Sequence, residues 1–291
     1  MSRAISPPMD PEYSFCQKVV QRCDKDRFLT ALFAPAEKRP ALFALYAFNA
    51  EVARVRDVVS DPFPGEMRYQ WWRDALCGVE HGNVRDHPIA RAMIDTAAQF
   101  ALPETLLSAF LEARAFDLYD DPMENLSVLE DYCRDTAGAL VEMAGHILSG
   151  PIGDERVRQV ACHAGIAYGL TAVLRALPYH VARGQLYLPV DMLDQVGLKA
   201  EDVFSRHCGD ALQKVLKDLR ERSRFHLTRM RNLVDAVPPA AAPALLPLCL
   251  VETYLAAMER PDYDPFTTIV DVPQWRRQWV IWRAARRARY H

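Results

Sequence analysis

The sequence predicts an all-α helical bundle, and three observations carry that prediction. Apolar residues recur at helical spacing, as in Phe15, Val19 and Val20 and again in Ala41, Leu42, Leu45, Tyr46 and Phe48. No run alternates apolar and polar residues as a half-buried strand would. Breaks at Pro35, Pro40, residues 62–65, Pro88, Pro103, Pro122, residues 150–153, Pro178, Pro189, residues 238–247, residues 261–265 and Pro273 leave about ten to twelve helices of ordinary length. With 291 residues, half of them hydrophobic, the chain is long enough to bury one large core.

Taken in order, residues 1–12 hold Pro7 and Pro8 and few apolar anchors and read as a loose tail, with residues 13–291 forming a single domain. In MRYQWWRDAL, at 67–76, Trp71 and Trp72 stand beside Arg68 and Arg73; adjacent helical residues cannot face one ligand, so the pair reads as core and rim. The acidic stretch FDLYDD at 116–121 reads as a helix end and a solvated loop before Pro122. Gly165, Ala167, Gly169 and Ala172 let a second helix approach closely or leave room for a lipid-sized cavity, and close packing is the reading adopted. Pro178 removes a backbone donor and ends or kinks the helix before it, which makes His180 a turn residue, with a softer metal or a titrating switch as its alternatives. PPAAAPALLP, at 238–247, reads as a helix–helix connection. Finally, 275–291 carries six arginines and no acid. Trp275, Trp279 and Trp282 fall at i, i+4 and i+7 on one face, with Arg276, Arg283 and Arg287 elsewhere around the helix. Two readings fit: a face for an anionic membrane or a protein partner, or a final helix packing its tryptophans on the bundle. Packing is adopted, with the arginines free to meet acidic lipid or a partner.

A formal charge of −3, from 35 basic and 38 acidic residues, gives no global field for nucleic acid. The seven cysteines are odd in number and scattered, with no C-x-x-C pair or zinc spacing, and read as reduced thiols of a reducing compartment. The opening MSRAISPPMDPEY has neither the apolar stretch of a signal peptide nor the Arg-rich pattern of a transit peptide, and no uninterrupted apolar run approaches the roughly 20 residues of a membrane span. A cytoplasmic protein is expected, with contact at a membrane surface left open.

Three segments resemble the squalene/phytoene synthase family. RFLTALFAPAEKRPALFALYAFNAEVARVRD, residues 27–57, is similar to the family's aromatic opening, proline-containing turn and LYAF helix. DYCRDTAGAL, residues 131–140, resembles its YC…AG helix, and GIAYGLTAVLRALPYHVARGQLYLP, residues 165–189, resembles its long helix and RG-x-x-YLP turn. The resemblance implies an isoprenoid-synthase-type bundle around a central apolar cavity, prenyl diphosphate substrates, and two aspartate pairs. Aspartates at i and i+4 share a helix face, and two such pairs hold Mg²⁺ through oxygen ligands, neutralising the diphosphate leaving group so that a carbocation forms.

Here that pattern fails. The resemblance puts the first pair at Ala53 and Asp57 and the second at Ala176 and His180. Gly169 and Ala172 stand where the family often has polar residues, and Arg27 where it has a phosphate-contacting serine. Asp57 and Asp61 spell a shifted D-x-x-x-D and are the available metal candidates, but Asp61 precedes Pro62, and such a residue avoids the helical region. Glu51 and Asp57, six apart, do not share a face. The resemblance leaves Tyr46, Glu51, Asp57, Arg175, His180, Arg183 and Tyr187 as candidates for a prenyl or diphosphate pocket. Of these, Arg175, Arg183 and Tyr187 match family positions near the diphosphate, and guanidinium forks suit phosphate oxygens. A structural ion pair of Arg175 with Asp57 or Glu51 is an equal alternative.

AFNAEVARVRD, MRYQWW and LRALPYHVARGQLYLP are more similar to a branch that has lost the aspartate pairs, and that resembles the mitochondrial assembly factor for respiratory complex I, than to squalene or carotenoid producers. The resemblance therefore implies a non-catalytic or catalytically diverted relative acting in complex I assembly or prenyl-lipid handling. No cofactor is assigned. The partners it implies are a prenyl lipid or prenyl diphosphate, respiratory-complex assembly proteins and a membrane surface, met at the inner membrane face, or on the matrix side in a mitochondrion. The membrane or partner surface is assigned to Trp275, Trp279, Trp282, Arg283 and Arg287. The alternative is an active Mg²⁺-dependent prenyltransferase condensing two prenyl diphosphates head to head, with Asp57, Asp61 and Asp117, Asp120 or Asp121 as replacement ligands. A third reading is an interaction scaffold with a collapsed cavity.

Overall fold

The computed structural model describes residues 10–79 and 83–288. Its helices are α1 (Pro11–Cys23), α2 (Lys25–Ala31), α3 (Arg39–Ala53), α4 (Val55–Val58), α5 (Pro62–Leu76), α6 (Pro88–Phe100), α7 (Glu104–Ala115), α8 (Leu126–Cys133), α9 (Ala139–Ser149), α10 (Glu155–Arg175), α11 (Leu177–Ala182), α12 (Val190–Gln195), α13 (Ala200–Phe204), α14 (Gly209–Leu233), α15 (Ala242–Leu245), α16 (Val251–Ala257) and α17 (Gln274–Ala288). No strand occurs among the described residues, and ten of these helices have eight residues or more. The expected tail falls largely outside the described residues, and α1 begins two residues before the expected start at Tyr13.

Prolines start helices here more often than they stop them. Pro11, Pro40, Pro62, Pro88 and Pro178 all occupy a first turn, where the missing N–H would have had no intrahelical partner. The break expected at Pro178 is therefore a joint at Ala176 between α10 and α11, and His180 is helical rather than a turn residue. The apolar stretch Pro239–Ala257 meets the length and composition of a membrane span, but its prolines divide it into short turns and it is 50% buried.

Buried side chains form two clusters. One joins α1, α3, α5, α6, α7 and α9; the other joins α8, α10, α14 and α16 with the ends of neighbouring segments. Eleven of the fifteen residues of α3 are buried, as expected of a helix apolar on nearly every side. Helix α10 lies along α14, and Thr171 Oγ1 meets Ser223 Oγ at 2.9 Å between them. On its other side α10 presses on α8 and on a π-helical turn, Arg134–Gly138: a Cβ on Gly165 would stand 2.2 Å from the Gly138 backbone, and one on Gly169 would stand 2.7 Å from Cys133. The small residues of α10 thus serve close packing. Trp72 is buried and Trp71 half-buried, both edge-on to His87.

Helix α17 overturns one expectation. Its tryptophan stripe does not pack on the bundle: Trp275, Trp279 and Trp282 are 71%, 52% and 45% exposed, and Arg277, Ile281 and Ala285 face inward. The cause is Asp26, buried on α2. Arg277 Nε donates to Asp26 Oδ1 at 2.7 Å and Tyr254 Oη donates to Asp26 Oδ2 at 2.7 Å, so the demand of a buried carboxylate for a cation sets the rotation of the helix.

Candidate functional site

Between the two clusters lies a cavity of about 260 Å³. Ala53 from the end of α3, Asp57 from α4, Ala176 at the α10–α11 joint and His180 from α11 all line it, so the four positions that the resemblance assigns to metal-binding aspartates converge. They supply one carboxylate, and it is already engaged. Asp57 Oδ1 accepts from Arg183 Nη1 at 2.6 Å and from Tyr179 Oη at 2.9 Å.

The deeper wall is organised by Asp117, which the sequence reading left in a solvated loop. A short 3₁₀ turn after α7, Phe116–Leu118, instead turns its side chain inward, where it is 6% exposed. Its Oδ1 accepts from Tyr132 Oη and Tyr187 Oη, each at 2.7 Å, its Oδ2 accepts from Arg114 Nη1 at 3.1 Å, and its carbonyl accepts from Gln185 Nε2. Arg114 also donates to Asn49 Oδ1 at 3.3 Å. Three donors already meet this buried carboxylate, a structural pairing that a metal would have to displace. Burial, then the proximity of Asp117, raises the Tyr187 phenol well above its ordinary range, so it remains a donor. Burial pulls the His180 imidazole down to about 4 despite Asp117 nearby, so it is neutral at neutral pH; its ring stands 4.5 Å from that of Tyr187.

Three buried polar atoms of this cavity's residues have no hydrogen-bond partner among the described residues: Arg56 Nε, Arg114 Nε and His180 Nδ1. Unmet buried hydrogen-bonding groups carry a desolvation cost that a polar guest relieves. Arg27, at the place of the expected phosphate-contacting serine, caps the same cavity beside Tyr168, with its guanidinium 4.7 Å from that ring and 2.7 Å from Asp24. The cavity therefore offers guanidinium groups and phenols around two carboxylates that are already paired, Asp57 at its mouth and Asp117 on its deeper wall, and the arginine donors left unmet suit an anionic or strongly polar head group.

The remaining candidates separate. Tyr46 lies deeper, against Arg27, with its phenol pushed up to about 12 by burial. Glu51 is outside the cavity, 4.0 Å from His87. Arg175 is also outside it: the expected pairing with Asp57 or Glu51 is replaced by Asp26 at 3.9 Å and by stacking 3.6 Å over the Tyr254 ring, because α10 turns this side chain toward α16. Asp61 is the extended N-cap residue of α5, with φ −126° and ψ 152°, so it does not continue the face of Asp57. Among the described residues no group of three or more His, Cys, Asp or Glu side chains is placed to hold a metal ion. The residues present do not fit the magnesium cluster that the resemblance implies.

A family-wide sequence profile described as squalene/phytoene synthase matches residues 20–283. The NADH dehydrogenase (ubiquinone) complex I assembly factor 6 of Mus musculus is 30% identical over 266 residues, covering 91% of this chain and 79% of that one. Its Homo sapiens counterpart is 31% identical over 252 residues, covering 87% and 75%. The 15-cis-phytoene synthase of Synechococcus elongatus is 25% identical over 290 residues, covering 95% and 92%. Among solved structures, the squalene synthase HpnC from Alicyclobacillus acidocaldarius superposes with a TM-score of 0.74 at 25% identity over 88% of this chain and 95% of that one. A dehydrosqualene synthase superposes with a TM-score of 0.80 at 17% identity over 96% and 97%. The fold is thus the all-α isoprenoid-synthase bundle that the resemblance implied. With the profile running through nearly the whole chain and the four aspartate positions meeting in one cavity, the chain belongs to the squalene/phytoene synthase family.

Proposed function

We propose that this chain is a non-catalytic member of its family that holds the polar head of a prenyl lipid in the arginine-lined cavity and acts in the assembly of respiratory complex I, at the inner face of a membrane. The observation that carries the reading is the state of the diphosphate end. Four converging positions leave one carboxylate, Asp57, and Arg183 and Tyr179 already pair with its Oδ1. Ionising a prenyl diphosphate requires its leaving charge to be neutralised, and the carboxylate pairs that would hold metal ions for that purpose are not in this cavity. The assembly role is supported by the complex I assembly factors among the relatives, which match along most of their length.

Two experiments test it. Purified protein is expected to release no pyrophosphate from farnesyl or geranylgeranyl diphosphate with Mg²⁺; release abolished by Asp57→Ala would overturn the non-catalytic reading. Deleting the gene in its source organism is expected to lower assembled complex I on native gels, and normal assembly would remove that role. Head-to-head condensation by Asp57 and Asp61 has no observation in its favour, since α4 ends at Val58 and the chain is extended at Val59. Nor is Asp117 free to replace them.

A further inference from the structure

The outward arc of α17 holds Trp275, Arg276, Trp279, Trp282, Arg283, Arg286 and Arg287 and no acidic residue. None of the four arginines forms an ion pair with a described carboxylate, whereas the inward Arg277 has two, Asp26 and Asp271. Two of them lie over indoles instead, Arg283 5.3 Å from Trp279 and Arg286 4.4 Å from Trp282. An exposed indole leaves most of its apolar area in water, and its amphipathic ring is most stable at a membrane interface.

The arc is continuous with a second feature. A groove of about 1020 Å³ runs between α17, the C-terminal half of α14 and the half-buried apolar stretch Pro239–Ala257. Aliphatic side chains such as Met230, Leu245 and Val280 line it, Trp279, Arg283 and Arg287 belong both to its lining and to the arc, and its two acidic residues are Asp235 and Glu252, the latter paired with Arg224. Guanidinium groups above a long aliphatic trough match a phosphate above an acyl chain. A second copy does not suit this face, because a two-fold contact would set arginines against arginines.

We propose that the outward face of α17 docks the protein onto an anionic phospholipid bilayer, with the adjoining groove receiving an acyl chain from that bilayer. This rests on the membrane location proposed above and supplies its surface. The indoles enter the head-group boundary, the guanidinium groups pair with lipid phosphates, and the inward row of Arg277, Ile281 and Ala285 keeps the helix seated on the bundle.

The test is co-sedimentation of the full chain with vesicles of phosphatidylcholine alone and of phosphatidylcholine mixed with phosphatidylglycerol, recording tryptophan emission. Partitioning to the anionic vesicles, with blue-shifted emission and weakening as salt rises, is the expected result. Each arginine removed lowers partitioning about fivefold, so Arg283→Ala/Arg287→Ala binds about 25-fold more weakly. Trp279→Ala/Trp282→Ala loses most of the blue shift. These side chains are exposed, and unchanged thermal melts establish that the variants are folded. No partitioning to anionic vesicles, or partitioning that the arginine variant leaves unchanged, overturns the proposal. So does a wild-type protein that ignores vesicles and forms dimers, or binds an acidic protein, through this face. Arg56→Gln, which alters the head-group cavity at a side chain paired, among the described residues, only with the exposed Asp120, leaves docking intact, so failure of docking and failure of head-group binding are read separately.

Discussion

Burying Asp117 beside Arg114 is compensated group by group, since two phenols and a guanidinium meet the carboxylate and Gln185 meets its carbonyl. Removing one partner of such a set leaves the other charge uncompensated. Asp117→Ala is therefore expected to cost about 3–5 kcal/mol in urea unfolding, with Asp117→Asn milder because it keeps an acceptor; equal costs for the two would mean that the charge is immaterial. His180 makes a pH prediction. Its folded-state value, about 4, lies below that of the unfolded chain, about 6.5, so between those limits the unfolded state binds a proton that the native state refuses. Stability then falls as pH falls through this window. His180→Gln should remove that part of the loss, at most about 3 kcal/mol by pH 4, and urea midpoints of the two proteins at neutral and acid pH would show it as a converging difference.

Among the elements, α10 depends on glycine for its contact with the π-helical turn. Backbone, not a flexible side chain, meets a Cβ at Gly165, so Gly165→Ala should destabilise by about 1–3 kcal/mol or more, measured by thermal or urea unfolding. That contact was legible, because small residues on one face at helical spacing announce a close neighbour. The helical class and most helix starts were legible too, from apolar spacing and proline. The rotation of α17 was not. Three tryptophans at i, i+4 and i+7 look like a core stripe, and what turns them outward is Asp26, which meets Arg277 across 251 positions of sequence. Asp117 escaped for the same reason: FDLYDD looks solvated until Tyr132 and Tyr187, 15 and 70 residues away, arrive beside it. Of the candidate site, the aspartate positions were legible because the resemblance fixed their register, whereas Glu51 and Arg175 were assigned without knowing which way α3 and α10 face.

At the scale of the whole molecule, the cavity is a seam of mixed polar and apolar lining between two apolar clusters, bounded by α3, α4 and α7 from one side and by α8, α10 and α11 from the other. A ligand seated there touches both halves, so its binding free energy adds to the cooperative stability of the native state rather than to one helix. Inorganic pyrophosphate is the simplest probe of the head-group reading. If Arg27, Arg56 and Arg114 hold an anion unaided, pyrophosphate at a hundredfold excess over its dissociation constant should stabilise by about 2.7 kcal/mol, raising the melting temperature by about 4–5 °C. Because no carboxylate cluster is involved, a chelator such as EDTA should leave the shift intact, while Arg114→Gln should reduce it. A shift that appears only with Mg²⁺ and vanishes with Asp57→Ala would instead mean that Asp57 exchanges Arg183 for a metal on binding, which would return the chain to the synthases its fold matches.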